Sequence, residues 1–233
     1  MMNIINNHTI NNYRYERKFF ITELDFNNVE NLVIQNPSFF SEIYYERWVN
    51  NLYFDTLLFN NFMDNIIGNM YRNKYRIRWY DKMLNYIEKP VLEQKIKKGL
   101  LGDKKSFKLI PFTINKGFDL VFISNILKSS NLDPKVMFDI KGQSPVLLNR
   151  YKRKYFESND KKFRITIDSQ QSFYKINKLN NTLLQKRTDN KNIILELKHS
   201  KEYDLEASKI TNSFPFRLTK SSKFARGIEL LYV

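Results

Sequence analysis

Charged residues placed at every second position constrain the fold of this chain more than any other feature. Residues 13–21, 51–55, 74–80, 91–97, 150–157, 162–169 and 192–199 alternate with period two, the mark of half-buried strands. In the first, Arg14, Glu16 and Lys18 share one face; Tyr13, Tyr15, Phe19 and Ile21 share the other, interrupted by Arg17. Arg76 and Arg78 oppose Tyr75, Ile77 and Trp79, while Glu93, Lys95 and Lys97 oppose Leu92 and Ile96. Arg164, Thr166 and Asp168 oppose Phe163, Ile165 and Ile167; Glu196 and Lys198 oppose Ile193, Leu195 and Leu197. The ordinary arrangement turns the polar face to water and the apolar face to the core. A merely solvated face in so Asn-rich a chain would mix in Ser, Thr, Asn and Gln, yet these faces are charged at nearly every step. If the strands close into a barrel, the charged faces can point inward and the apolar faces outward beneath helices. Unpaired buried charge costs several kcal/mol per group, so such an interior must be wet and hold a polyanion.

Helical spacing appears between the strands, over Phe26 to Ile34, Leu57 to Ile67, Phe118 to Leu127, Glu202 to Thr211 and Ser222 to Leu231. The strands cluster as hairpins and meanders more than they alternate with helices, which predicts an α+β chain with an antiparallel sheet. Six glycines and six prolines are scattered and mark no linker, so residues 13–233 read as one domain behind a frayed tail, residues 1–12. No run approaches the ~20 apolar residues that span a bilayer, and the N-terminus lacks the basic start of a signal peptide. The cytoplasm is the simplest compartment.

A formal charge of +15 implies a polyanionic partner: nucleic acid, nucleotide, polyphosphate or an acidic membrane. The arginines are more informative than the abundant lysines. Seven of the twelve fall at positions 14, 17, 76, 78, 150, 153 and 164, and the guanidinium fork suits phosphate oxygens. Cysteine is absent, which excludes disulfides, thiolate catalysis and cysteine metal sites. Two histidines leave little room for a Ser-His-Asp triad. No glycine lies in a Walker A loop, and no protein-kinase signature set is present. A nucleic-acid binder should present aromatic platforms on its basic face, and the arginine-bearing faces have few, so nucleic acid is the less favoured partner. Glutamates among the cations partly neutralise them and offer oxygen ligands for Mg²⁺ or Mn²⁺. Asp168 reads as the partner of a lumen arginine rather than a metal ligand. His199 reads as structural, Asp55 as a cap on the following helix, and Trp48 and Trp79 as outer packing. Tyr80 shares the Arg78 face and is placed to touch a base at a tunnel mouth. Lys220 and Lys223, taken alone, read as a solvated helix entrance.

The segments YRYERKFFI, NLYFDT, KYRIRWY, LEQKIKKG, RYKRKYF, FRITID, ILELKHS and LTKSSKFARGIELL occur in an order that resembles the vacuolar transporter chaperone (VTC) domain. These polyphosphate polymerase domains belong to the triphosphate tunnel metalloenzyme, or CYTH-like, superfamily. The resemblance runs from Tyr13 to Val233 and implies an eight-stranded antiparallel β-barrel with a charged interior, flanked by helices. It implies ATP-dependent polyphosphate synthesis; relatives hydrolyse inorganic or RNA 5′-triphosphates or cyclise nucleotides, so the fold does not fix the reaction. The alternatives are a triphosphatase of the same fold and a non-catalytic polyanion- or RNA-binding module. Matched position by position, the resemblance assigns phosphate-gripping roles to Lys18, Arg76, Arg78, Lys95, Arg153 and Arg164. It places Lys220 and Lys223, with Arg14, on the substrate. It assigns the Mn²⁺ or Mg²⁺ to Glu196, with Glu16 and Glu93 as supporting carboxylates that orient cations or reach metal through water. One departure is visible. The helix after NLYFDT carries Asn65 where polymerase members often have a basic residue, and Arg72 and Lys74 are the nearest replacements. Neither the SPX domain nor the membrane domain of eukaryotic polymerase subunits is present, as in stand-alone bacterial members; a membrane-protein partner is left open.

Overall fold

The structure, a computed structural model, describes residues 14–99 and 101–233. The expected tail, residues 1–12, and Tyr13 lie outside the described residues. Eleven strands are present among the described residues: β1 (Arg14–Ile21), β2 (Ser41–Asp55), β3 (Tyr71–Tyr80), β4 (Asn85–Ile87), β5 (Val91–Lys98), β6 (Leu101–Lys108), β7 (Phe112–Ile114), β8 (Ser144–Glu157), β9 (Arg164–Lys175), β10 (Lys186–Asp189) and β11 (Ile193–Ser200). Six α-helices accompany them: α1 (Phe26–Ile34), α2 (Asn60–Ile66), α3 (Leu120–Ser129), α4 (Pro134–Ile140), α5 (Asp204–Asn212) and α6 (Lys223–Tyr232). None is long and apolar enough to cross a membrane. The large sheet runs β10-β9-β11-β1-β6-β5-β3-β2-β8, and β8 also pairs with β9. Every pairing is antiparallel, and eight strands form a ring of neighbours that returns to β9. The thinnest junction is β1–β6, where the paired residues are Arg14 and Gly102.

The alternation read from the sequence sorts onto two faces. Tyr75, Ile77, Trp79 and Leu92 pack outward against Ile123, Ile126 and Leu127 of α3 and Val136 and Ile140 of α4. Phe19, Ile165, Ile167, Leu195 and Leu197 pack outward against Val29 and Val33 of α1 and Ala207 and Ile210 of α5. Arg17, the charged interruption on this face of β1, donates to Asp204, Ser208 and Thr211 of α5. Helix α6 breaks the rule. Its Phe224 and Ile228 pack with Tyr53, Leu147 and Phe173, and Tyr53 and Leu147 stand on the same strand faces as Asn51 and Arg153. The C-terminal helix therefore fills one end of the inner face. A Cβ at Gly227 would lie 2.5 Å from Leu147 Cδ2 and 2.8 Å from Phe173 Cδ1, so only glycine permits this approach.

Several elements were invisible in the pattern. The first half of β2 carries register shifts between Glu42 and Tyr44 and between Tyr44 and Arg47, which scramble the two-residue period. Strand β6 follows a turn at Gly99, whose φ of 60° suits glycine. The expected Leu57–Ile67 helix starts at Asn60 instead. Asp55 explains the delay. Its carboxylate accepts from the backbone N–H of Thr56, Asn61 and Phe62 and so caps α2 from the end of β2.

Candidate functional site

Between Arg47 at one end of the inner face and the Arg164–Glu157 pair at the rim, eleven cations stand with four carboxylates among the described residues. Strand β3 supplies Arg72, Lys74, Arg76 and Arg78, and β5 supplies Lys95 and Lys97. Lys18, Lys104, Arg153, Lys198 and Lys223 come from β1, β6, β8, β11 and α6. The carboxylates are Glu16, Glu93, Asp168 and Glu196. Each gathers cations around it.

Glu93 binds both guanidinium groups of the Arg-x-Arg pair. Its Oε2 lies 2.6 Å from Arg76 Nη2 and 3.5 Å from Arg78 Nη1, and Oε1 lies 2.8 Å from Lys104 Nζ. Burial would raise its pKa, but Arg76, Arg78 and Lys104 overcome burial and hold it well below the carboxylate range. Arg76 also donates to Tyr53 Oη at 3.1 Å, and Arg78 to Asn51 Oδ1 at 2.8 Å. With three cations around its two oxygens, Glu93 holds the Arg-x-Arg pair and Lys104 in place.

Asp168 is fully buried and takes Arg153 in a two-pronged pair, Nη2 to Oδ2 at 2.6 Å, while Lys223 Nζ closes on the same oxygen. The expectation that Asp168 partners a lumen arginine is met. The reading of Lys223 as a solvated helix entrance is overturned, because the inward course of α6 buries it beside Tyr151. Lys220, three residues earlier, stays exposed.

Glu196 faces Lys18 at 2.9 Å, Lys198 at 3.3 Å and Arg153 at 3.8 Å. Burial again opposes its ionisation, and Lys18 and Lys198 outweigh it, so the carboxylate stays charged. Glu16 takes both oxygens to Lys95, at 3.1 and 2.9 Å, and lies 3.5 Å from Lys18. Against burial, Lys95 and Lys18 lower its pKa to about 2. Burial pulls Lys18 down, but Glu196 and Glu16 more than reverse this.

Four lysines of the inner face are pulled below their ordinary value by burial. Burial, with Arg72 and Lys95 nearby, pushes Lys74 down to about 7. Burial takes Lys95 to about 8 despite Glu16. Lys97 and Lys198 are lowered too, first by burial and then by neighbouring cations. Arg72 and Lys74 both donate to Asn65 Oδ1 of α2, at 3.1 and 3.0 Å. The asparagine that departs from the family pattern is thus the point where two nearby cations converge.

Arg164 is not brought into the cluster. It stands at the start of β9, half-exposed, with its Nε 2.9 Å from Glu157. Of Arg14 only the backbone is described; it pairs with Ser200 and Gly102. His199 is buried on the outer side and stacks on Tyr15. Trp79 is buried in the outer core, whereas Trp48 is half-buried under the Arg150 guanidinium at 4.1 Å. Lys104 was missed because β6 was missed; Gly99 between two polar runs was the available signal for that hairpin. Asn51 and Tyr53 are inner-face residues that charge alone does not reveal.

At the far end of the inner face from α6, Arg47 lies against three tyrosine rings, those of Tyr80 (4.3 Å), Tyr155 (4.8 Å) and Tyr44 (5.4 Å). Tyr80 and Tyr44 are exposed, and Tyr155 continues the strand face of Arg153.

A Mg²⁺- or Mn²⁺-type ion is commonly held by one or two carboxylates together with substrate phosphates and water. The inner face fits that kind of site and no richer one: no group of three or more His, Asp or Glu side chains converges among the described residues. Glu196, with Glu16 linked to it through Lys18, supplies the suitable oxygens.

A ring of antiparallel strands thus carries an inward surplus of cation. Residues 13–232 match the VTC domain, and the chain belongs to that family. No curated protein matches it in sequence. Solved structures share the fold at low identity. A putative adenylate cyclase from Vibrio parahaemolyticus is 12% identical with a TM-score of 0.52, covering 95% of this chain and 98% of that one. The PH1819 protein of Pyrococcus horikoshii OT3 is 12% identical with a TM-score of 0.53, covering 93% and 99%. The putative adenylyl cyclase HpAC1 from Hippeastrum, described as having a dominant triphosphatase activity, is 13% identical with a TM-score of 0.54, covering 93% and 95%.

Proposed function

We propose that residues 13–233 form a single tunnel domain that carries out metal-dependent phosphoryl transfer on triphosphate chains, with ATP-dependent polyphosphate synthesis as its reaction. The observation that carries this reading is the cation surplus on the inner face, eleven against four carboxylates, on a ring of eight strands that we take as a closed barrel. Phosphoryl transfer asks little covalent chemistry of a protein and much positioning and charge stabilisation. In this reading Arg76 and Arg78, held by Glu93, present fixed forks to non-bridging phosphate oxygens. Arg153, held by Asp168, and Lys18, held by Glu196 and Glu16, grip the neighbouring phosphate. Lys74, Lys95 and Lys97 regain full charge as the polyanion offsets the burial and neighbouring cations that lower them. Lys220 lines an approach, Arg14 is carried over from the family pattern as a substrate contact, and Arg164 at the rim contributes least. Bound at Glu196 and the phosphates, Mn²⁺ or Mg²⁺ would offset charge developing on the transferred group. The Arg47–tyrosine cluster would stack the base of a nucleoside triphosphate, which favours ATP over inorganic triphosphate as donor. A cytoplasmic setting would supply both nucleotide and metal.

A triphosphatase is the second reading, favoured by the activity described for the Hippeastrum protein; water then replaces the phosphate terminus as acceptor. Incubation with ATP and Mn²⁺, with and without a short polyphosphate primer, separates the two on a polyacrylamide gel. A ladder lost in Glu196→Ala supports polymerisation. Free phosphate without a ladder supports hydrolysis, and bound polyphosphate with neither product leaves a non-catalytic binder.

A further inference from the structure

We propose that the outer face of α2 is a docking surface for an anionic lipid bilayer. Met63 and Ile66 of α2, Ile67 at its C-cap and Met70 just before β3 form an apolar stripe over the helix and the segment that leaves it, and the preceding turn adds Leu57 and Leu58. All six are between 48% and 78% exposed. On a surface helix such a stripe normally faces the core. Here the core-facing side of α2 is already occupied. Phe62 is buried, Asn61 donates to Gln143, and Asn65 accepts from Arg72 and Lys74. Among the described residues nothing covers the stripe, which lies in the β2–β3 connection.

Charge identifies the occupant. Between Thr56 and Lys74 the one acidic residue is Asp64, and its carboxylate accepts from Asn69. Next to the stripe, Tyr71 pairs across the sheet with Lys98 and Arg72 with Lys97. Exposed Lys98 and exposed Tyr71 therefore stand at its edge. An exposed apolar tip with a lysine and a tyrosine at its edge matches a bilayer with anionic headgroups: the aliphatic chains enter the acyl boundary, the phenol sits at the interface, and the ammonium group meets the headgroups. A second copy of this chain would bring like-charged edges together, and the net charge of +15 opposes it further. The inference does not depend on the reaction assigned to the inner face.

The test is flotation of the full chain with phosphatidylcholine vesicles, with and without phosphatidylserine, in the presence of saturating polyphosphate so that inner-face cations are occupied. The chain should float with phosphatidylserine vesicles and not with phosphatidylcholine alone. Ile67→Asp/Met70→Asp should lower partitioning by about tenfold or more. Lys98→Glu should lower it by a smaller factor, roughly fivefold. Both variants should keep the parent melting temperature and binding of a non-hydrolysable ATP analogue. Three outcomes would overturn the proposal. They are no flotation of the parent chain, flotation unchanged in both variants, and a lipid-free dimer that Ile67→Asp/Met70→Asp dissolves.

Discussion

Binding of a polyanion to the inner face should be strongly linked to protons, and Lys74 sets the scale. Before binding, burial and neighbouring cations hold it at about 7, and burial holds Lys95 at about 8. A triphosphate beside them removes the electrostatic penalty and returns both toward the ordinary lysine value near 10.4. The bound pKa exceeds the free pKa, so each lysine's contribution is complete below its free value and declines as pH rises through it. With the bound forms still protonated at pH 9, the fraction of Lys74 ready to bind falls by about 50-fold between pH 7 and 9. The same arithmetic for Lys95 gives about tenfold. Affinity should therefore weaken by between about tenfold and a few hundredfold over that range. A non-hydrolysable ATP analogue is the suitable probe, with the proton release of the free analogue over the same range subtracted. Isothermal titration at pH 8.5 in two buffers of different ionisation heat should report uptake of one to two protons, and Lys74→Met should remove about one of them. An affinity flat from pH 7 to 9, or no proton uptake at pH 8.5, would refute the reasoning.

Asp168→Asn strips a buried charge from both Arg153 and Lys223 and should cost about 3–5 kcal/mol in urea denaturation; adding Lys223→Met should recover part of the loss, and purely additive costs would contradict the coupling. Gly227→Ala drives a methyl group into Leu147 and Phe173 and should lower stability by about 1–3 kcal/mol; an unchanged melting temperature would mean that α6 does not hold this close approach. Arg164→Ala breaks only a half-exposed pair with Glu157 and should change stability by no more than about 1 kcal/mol. Its affinity for the ATP analogue should stay within about threefold, whereas Arg76→Ala should lose far more; equal losses in the two variants would return Arg164 to the site.

Much of the site was legible because a strand converts sequence parity directly into side. Glu16 with Lys18, Arg76 with Arg78, Glu93 with Lys95, and Glu196 with Lys198 are each two residues apart, and each pair lies on the inner face. Where the parity breaks, the reading failed. The shifts in β2 hid Arg47 and the tyrosines around it, and the Gly99 hairpin hid Lys104. Position in a motif also proved weaker than position in space. Arg164 stands on the correct strand face yet ends at the rim. Lys220 and Lys223 are three residues apart, yet one is exposed and the other is buried against Asp168.

The sequence by itself determined the two-faced strands and their antiparallel class, because periodicity is a local property of the chain, and the order of its motifs carried the family; its charge raised the expectation of a polyanionic partner. Only the tertiary structure decided which carboxylate serves which cation, which lysines burial pulls below their ordinary value, and that α6 turns inward while the apolar side of α2 turns outward. Those outcomes depend on distances between residues far apart in sequence and on the burial that magnifies each charge, and neither is written in any one strand.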